Sequence, residues 1–312
     1  MQMPSRESML DYLADNDNIA IRDPIGLRAA LSFKALKNFI TKIFVRELTQ
    51  AGIHFGSRVA VILPNGPELA VCIISTLSHW CIVPLSNAYN ENELKIEFIQ
   101  TKAKSVICLS SNQAAIDAAH KLSLDLLFLN FDPDICGLFS VTQAAFNHLN
   151  CTQSIDQNCY AHTVKRATSN YMYLPEVKEP IISLDSYSNL GKSLLNQEHA
   201  LTPLTNRNRN QHREIVMILL TSGTTGTKKV VPYSLDMIVH GVSCVISSWA
   251  LQPSDLCLNM MPLFHVGGIM RNILAPLFSG RLDFVYWSCC TYEAMRDNQS
   301  TLLSSHFLSF PL

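Results

Sequence analysis

Nine consecutive residues, Thr221-Ser-Gly-Thr-Thr-Gly-Thr-Lys-Lys229, hold two glycines, five hydroxyls and two lysines. That combination suits phosphate: glycines let backbone N–H groups approach oxyanions, hydroxyls add donors, and a lysine supplies a point charge for the outer phosphates. The spacing departs from G-x-x-x-x-G-K-[ST], because Gly226 follows Gly223 too soon and no hydroxyl follows the lysine pair. A Walker-type kinase or GTPase is therefore disfavoured. A second candidate is His265, which follows an apolar run and precedes Gly267-Gly268. An isolated histidine in such a place reads as a satisfied core residue, and only its neighbours argue otherwise. His54, His79, His120 and His240 show no metal-ligand spacing, so no protein metal site is expected.

The elements that must position these residues are legible in the apolar pattern. Glu214 to Leu220 is a buried-strand run leading straight into the Thr/Gly/Lys stretch, and Leu235, Ile238, Val242, Val245, Ile246 and Trp249 form a helical stripe after it. Upstream, Phe33 to Leu48 repeats at three and four residues, with Ser32 placed to cap and Gly52 to terminate. Apolar runs at Val59 to Leu63, Cys81 to Leu85, Ser105 to Leu109 and Leu124 to Leu129 predict strands. Helical segments separate them: Glu68 to Ser78, one marked by Leu94, Ile96, Phe98 and Ile99, and Gln113 to Lys121. Strands without alternation, spaced by helices, predict an α/β fold of layered, mostly parallel sheets with helices on both faces. The expected organisation is a helical lead-in over 1–56 and a first α/β sub-domain over 57–213 with a polar, mobile stretch near 134–213. The phosphate loop and a second α/β layer follow over 214–280, then a divergent tail over 281–312.

Four segments in order resemble the adenylate-forming superfamily of acyl-CoA synthetases, luciferases and peptide-synthetase adenylation domains. They are Leu31-Ser-Phe-Lys-Ala-Leu36, Val59 to Glu68 with Val83 to Tyr89, Leu220 to Pro232, and Met261-Pro-Leu-Phe-His-Val-Gly-Gly-Ile269. The resemblance implies two steps, in which a carboxylate attacks the α-phosphate of Mg-ATP and a thiol such as coenzyme A then displaces AMP. By position, Thr221, Ser222, Gly223, Thr224, Thr225, Gly226 and Lys229 would wrap the β- and γ-phosphates. His265 would orient the carboxylate where the nucleotide and acyl pockets meet, so Lys229 and His265 are the implied catalytic residues. ATP, Mg2+ and coenzyme A are the implied cofactors and co-substrates, and the glycines after His265 would leave room for an acyl chain. Two departures stand out. Lys228 occupies the family's usual proline position and Val230 its usual glycine, which predicts a less rigid loop.

With 24 Lys+Arg against 25 Asp+Glu, a net charge of −1 and 16% charged residues, the chain lacks a nucleic-acid binder's electrostatic footprint. The partners expected are a small-molecule carboxylate and ATP, with no nucleic acid and no firm membrane signal. Ten cysteines without a C-x-x-C pair, several inside apolar runs, read as buried thiols of a reducing, cytoplasmic setting, with a peroxisomal one as the alternative. After Gly280 the family's adenine-, ribose- and hinge-forming blocks do not align, so the 312 residues are expected to be truncated and inactive alone. Self-association through exposed apolar edges, or a non-catalytic fragment that binds nucleotide or a partner, is the alternative reading.

Overall fold

The computed structural model describes residues 8–22, 28–144, 215–221, 228–253, 255, 257–259, 261–279 and 284–286. Among them two sheets form. The larger has seven strands in the order β7-β6-β5-β3-β4-β8-β9, built from β3 (Arg58–Ile62), β4 (Cys81–Pro84), β5 (Ser105–Cys108), β6 (Asp125–Phe131), β7 (Phe139–Gln143), β8 (Ile215–Thr221) and β9 (Lys229–Ser234). Its five central strands pair in parallel and the two edge strands, β7 and β9, antiparallel. The smaller sheet has the order β10-β11-β1-β2, from β1 (Ile19–Arg22), β2 (Leu31–Ser32), β10 (Cys257–Asn259) and β11 (Phe284–Tyr286).

The parallel strands read as unbroken apolar runs because both faces are covered. In β3, Val59 and Val61 face one core cluster while Ala60 and Ile62 face the other. Helix α3 (Pro67–His79) fills the first cluster. Twelve of its thirteen residues are buried, as expected of a helix apolar all round, and it touches β3, β4 and β8 of the large sheet and β11 of the small one. The opposite face is covered by α4 (Glu91–Thr101) and α5 (Gln113–Lys121), started by the side chains of Asn90 and Asn112 as N-caps. At the chain's start, α1 (Phe33–Asn38) is capped by Ser32, whose hydroxyl accepts from Ala35 N–H. A π-helical turn, Phe39–Phe44, and α2 (Val45–Gln50) follow, and Gly52 leaves the helix at φ +80°, a conformation that favours glycine.

Three expectations are corrected. The lead-in contributes strands as well as helices, since β1 and β2 belong to the small sheet. The boundary drawn at 214 falls inside one sheet, because β8 pairs in parallel with β4, Met217 opposite Ile82. The second layer comes instead from β1, β2, β10 and β11, the last lying in the tail that begins at 281. The polar stretch from 134 starts as ordered structure. In β7 the alternation of Phe139, Ser140 and Val141 buries its apolar side, and Phe139 meets the Phe39 and Phe44 rings edge-on at centroid distances of 5.0 and 5.9 Å. Residues 145–214 lie outside the described set.

Cys72, Cys81, Cys108 and Cys136 are buried, as read from their apolar settings. Burial pushes the Cys72 and Cys108 thiols up to about 12 and Cys81 to about 11, so these sulfurs are packing groups and not nucleophiles.

Glu47 ties α2 to the sheet edge, its carboxylate accepting from Val141 N–H at 2.9 Å. Burial raises its pKa from 4.5 to about 7, outweighing the Val141 hydrogen bond and the nearby Arg46. The folded protein therefore holds this proton more tightly than the unfolded chain does. The group's contribution to stability is greatest below about pH 4.5 and is lost as pH rises toward 7. Discounted for partial exposure, the loss is about 2 kcal/mol. Glu47→Gln keeps a carbonyl acceptor without the charge, so urea titrations at pH 5 and 8 are expected to show a smaller loss of stability than in the parent. An unchanged difference between the two pH values contradicts the assignment.

Candidate functional site

Parallel pairing turns the C-terminal ends of β3, β4, β5 and β8 toward one edge of the large sheet, the edge at which open α/β sheets hold ligands. Strand β5 lies on one side of β3 and β4 on the other, so the strand order reverses beside β3. The loop after β3 carries Asn65, and the turn after β4 carries Ser86 and Tyr89. Strand β8 ends there at Thr221 and β9 returns from Lys229.

In the β8–β9 hairpin Thr221 stands directly opposite Lys229 and Leu220 opposite Val230. Cross-strand partners share a face, so the structure brings Thr221 and Lys229 together at the two feet of the loop, both exposed. Ser222, Gly223, Thr224, Thr225 and Gly226 lie outside the described residues. Val230 sits in regular strand with a side chain 40% exposed, and its φ is not positive, so the conformation there does not require the family's glycine.

Lys228 points away into the protein. Its ammonium lies 2.5 Å from Glu97 Oε1, donates to the Tyr89 hydroxyl at 2.9 Å, and rests 4.1 Å from the Tyr89 ring centre. Burial alone would lower its pKa, but the hydrogen bonds and charges of Glu97 and Tyr89 outweigh that and hold it above the ordinary lysine value. Glu97 is only 3% exposed, and its Oε2 has no hydrogen-bond partner among the described residues. The apolar residues that mark α4 in the sequence do not all face inward. Ile96 and Ile99 are 55% and 63% exposed, while Leu94, Glu97, Phe98 and Thr101 face inward. A carboxylate at helical spacing among Leu94, Phe98 and Thr101 was the available signal, and its partner 131 positions on was not foreseeable from spacing.

His265 is exposed, which removes the reading as a satisfied core histidine. It is the N-cap residue of the short helix Val266–Ile269, and its ring lies against Phe264 with centroids 4.5 Å apart. The segment before it is clasped by two asparagines that the sequence reading did not single out. Asn65 donates to Met261 C=O at 3.1 Å and accepts from Leu263 N–H at 2.9 Å. Fully buried Asn259 also donates to Met261 C=O and accepts from Met261 N–H, both at 3.1 Å. Asn65 thereby holds the His265 segment to the loop after β3, and Asn259 fixes the same segment to the end of β10. The expectation that both glycines leave space for an acyl chain is corrected at Gly268. A Cβ there would stand 2.4 Å from Pro262 O, so that glycine makes room for backbone.

Among the described residues no group of three or more His, Cys, Asp or Glu side chains is arranged to hold a metal ion, and no helix is long and apolar enough to cross a membrane.

Asn65→Ala removes both hydrogen bonds that bridge the β3 loop to the His265 segment and leaves the Leu263 N–H unsatisfied. A stability loss of about 2 kcal/mol by denaturant titration is expected. Gly268→Ala, forced against Pro262 O, is expected to cost about as much. A change below about 0.5 kcal/mol in both would show that this segment is not held as described.

The family model described as AMP-binding enzyme matches residues 15–286. The acyl-CoA synthetase ALT10 of Alternaria alternata is 25% identical over 90% of this chain and 47% of its own length. The mitochondrial malonate–CoA ligase ACSF3 of Bos taurus is 39% identical over a shorter stretch, 23% of this chain and 12% of its own. Crystal structures of MatB from Rhodopseudomonas palustris, apo and ATP-bound, share the fold with TM-scores of 0.59 and 0.60 at 20% identity. They align over 90% and 91% of this chain and 45% of MatB. The chain spans about half the length of the full-chain relatives it matches. With that family model extending over most of the chain and the sheet it leads one to expect in place, the chain belongs to the AMP-binding enzyme family.

Proposed function

We propose that the loop from Thr221 to Lys229 holds the β- and γ-phosphates of Mg-ATP during the activation of a carboxylate. One carboxylate oxygen attacks the α-phosphorus, the bond to the bridging oxygen of pyrophosphate breaks, and an acyl-adenylate and pyrophosphate result. In a second step a thiol, that of coenzyme A in this reading, attacks the acyl carbonyl and AMP leaves. The reaction needs little covalent chemistry from the protein, so positioning and charge neutralisation carry the catalysis.

The observation that supports this most is the hairpin. Thr221 and Lys229 face each other across it, at the sheet edge where ligands bind in folds of this class. Backbone N–H groups and hydroxyls of Ser222, Gly223, Thr224, Thr225 and Gly226 would supply donors to the phosphate oxygens, and Lys229 would neutralise the departing pyrophosphate. Magnesium enters this account as part of the nucleotide substrate. His265, exposed at a helix N-cap and tethered through Asn65 to the same edge, is assigned to steadying the carboxylate.

Calorimetric titration with inorganic tripolyphosphate and with Mg-ATP tests the reading. Lys229→Ala and Thr224→Ala are each expected to weaken both ligands about tenfold or more, equivalent to about 1.4 kcal/mol. His265→Ala is expected to leave tripolyphosphate affinity within about twofold, since its partner is the carboxylate. Unchanged affinity in both loop variants would overturn the phosphate assignment. A tenfold loss in His265→Ala would overturn the division of roles. Tripolyphosphate binding without carboxylate-dependent pyrophosphate release from ATP would confine these residues to holding nucleotide.

A further inference from the structure

Resting on that reading and deepening it, we propose that Lys228, Glu97 and Tyr89 form an ionic latch. It fixes the descending arm of the phosphate loop and keeps Lys228 from serving as a phosphate ligand.

Strand β9 lies in an exposed position. Among the described residues it is an edge strand paired with β8, and none of its six residues is buried. Such a strand frays readily unless something else ties it down. The tie sits immediately before its first residue. Lys228 reaches across to the buried face of α4, where the Glu97 carboxylate takes its charge, and to the turn after β4, where the Tyr89 hydroxyl and ring complete the contact. One ammonium thus joins three elements, β9, α4 and the turn after β4, around the foot of the loop.

The chemistry of Glu97 shows that this contact is built in. A carboxylate 3% exposed among Leu94, Phe98 and Thr101 pays a desolvation penalty that a neutral residue of similar size avoids, so the position needs its cation. Lys228 in turn has its ammonium engaged on one side by carboxylate and on the other by the phenol. Lys229, one residue on, stands across the hairpin from Thr221 and is exposed. The two adjacent lysines therefore divide the work: Lys228 positions the strand and Lys229 meets the phosphates. The same division explains how a lysine stands where the family resemblance leads one to expect a rigid proline. The ionic contact supplies the restraint that the ring would have given.

Two readouts on the full 312-residue chain test this separately from the phosphate reading. The first is amide hydrogen exchange. Lys228→Met keeps the stem and removes the charge, and is expected to speed exchange of the Val231 and Tyr233 amides at least tenfold, with the β3 and β5 amides unchanged. Unaltered exchange in β9 overturns the latch whether or not phosphate binds.

The second readout is tripolyphosphate affinity in a charge swap. Lys228→Glu alone is expected to weaken binding at least tenfold, and Glu97→Lys with Lys228→Glu to recover it to within threefold. If Lys228 were itself a phosphate ligand, the swap would bind no better than Lys228→Glu, which overturns the proposal. Should the swapped chain not fold, Glu97→Gln with Lys228→Gln replaces the ion pair by an amide pair. It is expected to retain affinity within about fivefold, and a loss equal to that of Lys229→Ala overturns the proposal. Absence of tripolyphosphate binding by the parent chain would sink the phosphate reading while the exchange readout still decides the latch.

Discussion

Strand β8 enters the large sheet beside β4, with Met217 opposite Ile82 and both side chains fully buried between helical layers. The pairing joins parts of the chain far apart in sequence, and the site geometry follows from it. It sets β8 parallel to β3, β4 and β5, so the end of β8 opens at the same edge as the loops carrying Asn65, Ser86 and Tyr89. It brings Lys228 within reach of α4. Without this contact the Thr/Gly/Lys segment would be a surface turn with suitable composition and no surroundings. The favourable term is the burial of apolar strands on both faces, with α3 on one side and α4 and α5 on the other.

A second constraint acts through hydrogen bonds. The segment from Met261 to Leu263 runs outside regular structure, and its backbone groups need partners. Asn65 and Asn259 supply them, each through both ends of one amide. The contact at Gly268 tightens the same segment from the other side. His265 is thus presented to solvent from a segment held at three points.

Much of the fold was legible because its signals are local. The strands from β3 to β6 announce themselves as apolar runs, α3 and α5 by their boundaries, and the helical lead-in by Ser32 and Gly52. What was not legible depends on pairing at a distance. The small sheet takes strands from near both ends of the chain, and nothing in the short runs Ile19–Arg22 or Phe284–Tyr286 says that they are neighbours. Strand β7 was hidden in a polar stretch because its burial comes from Phe39 and Phe44. At the candidate site, Thr221 and Lys229 were singled out by composition and His265 by the family resemblance, while Asn65, Asn259 and Glu97 were not singled out. Their side chains act on backbone or on a lysine from another element, and such partners have no fixed spacing. The departure at Lys228 was visible, but its partner Glu97, on another element, was not.

The central claim is that the loop between β8 and β9 receives the phosphates of ATP. Amide hydrogen exchange with and without ligand measures this directly. The account predicts that ATP slows exchange of the amides from Ser222 to Gly226 at least tenfold, that inorganic tripolyphosphate does the same, and that adenosine does not. Exchange unaffected by ATP and tripolyphosphate, or slowed by adenosine alone, would contradict it.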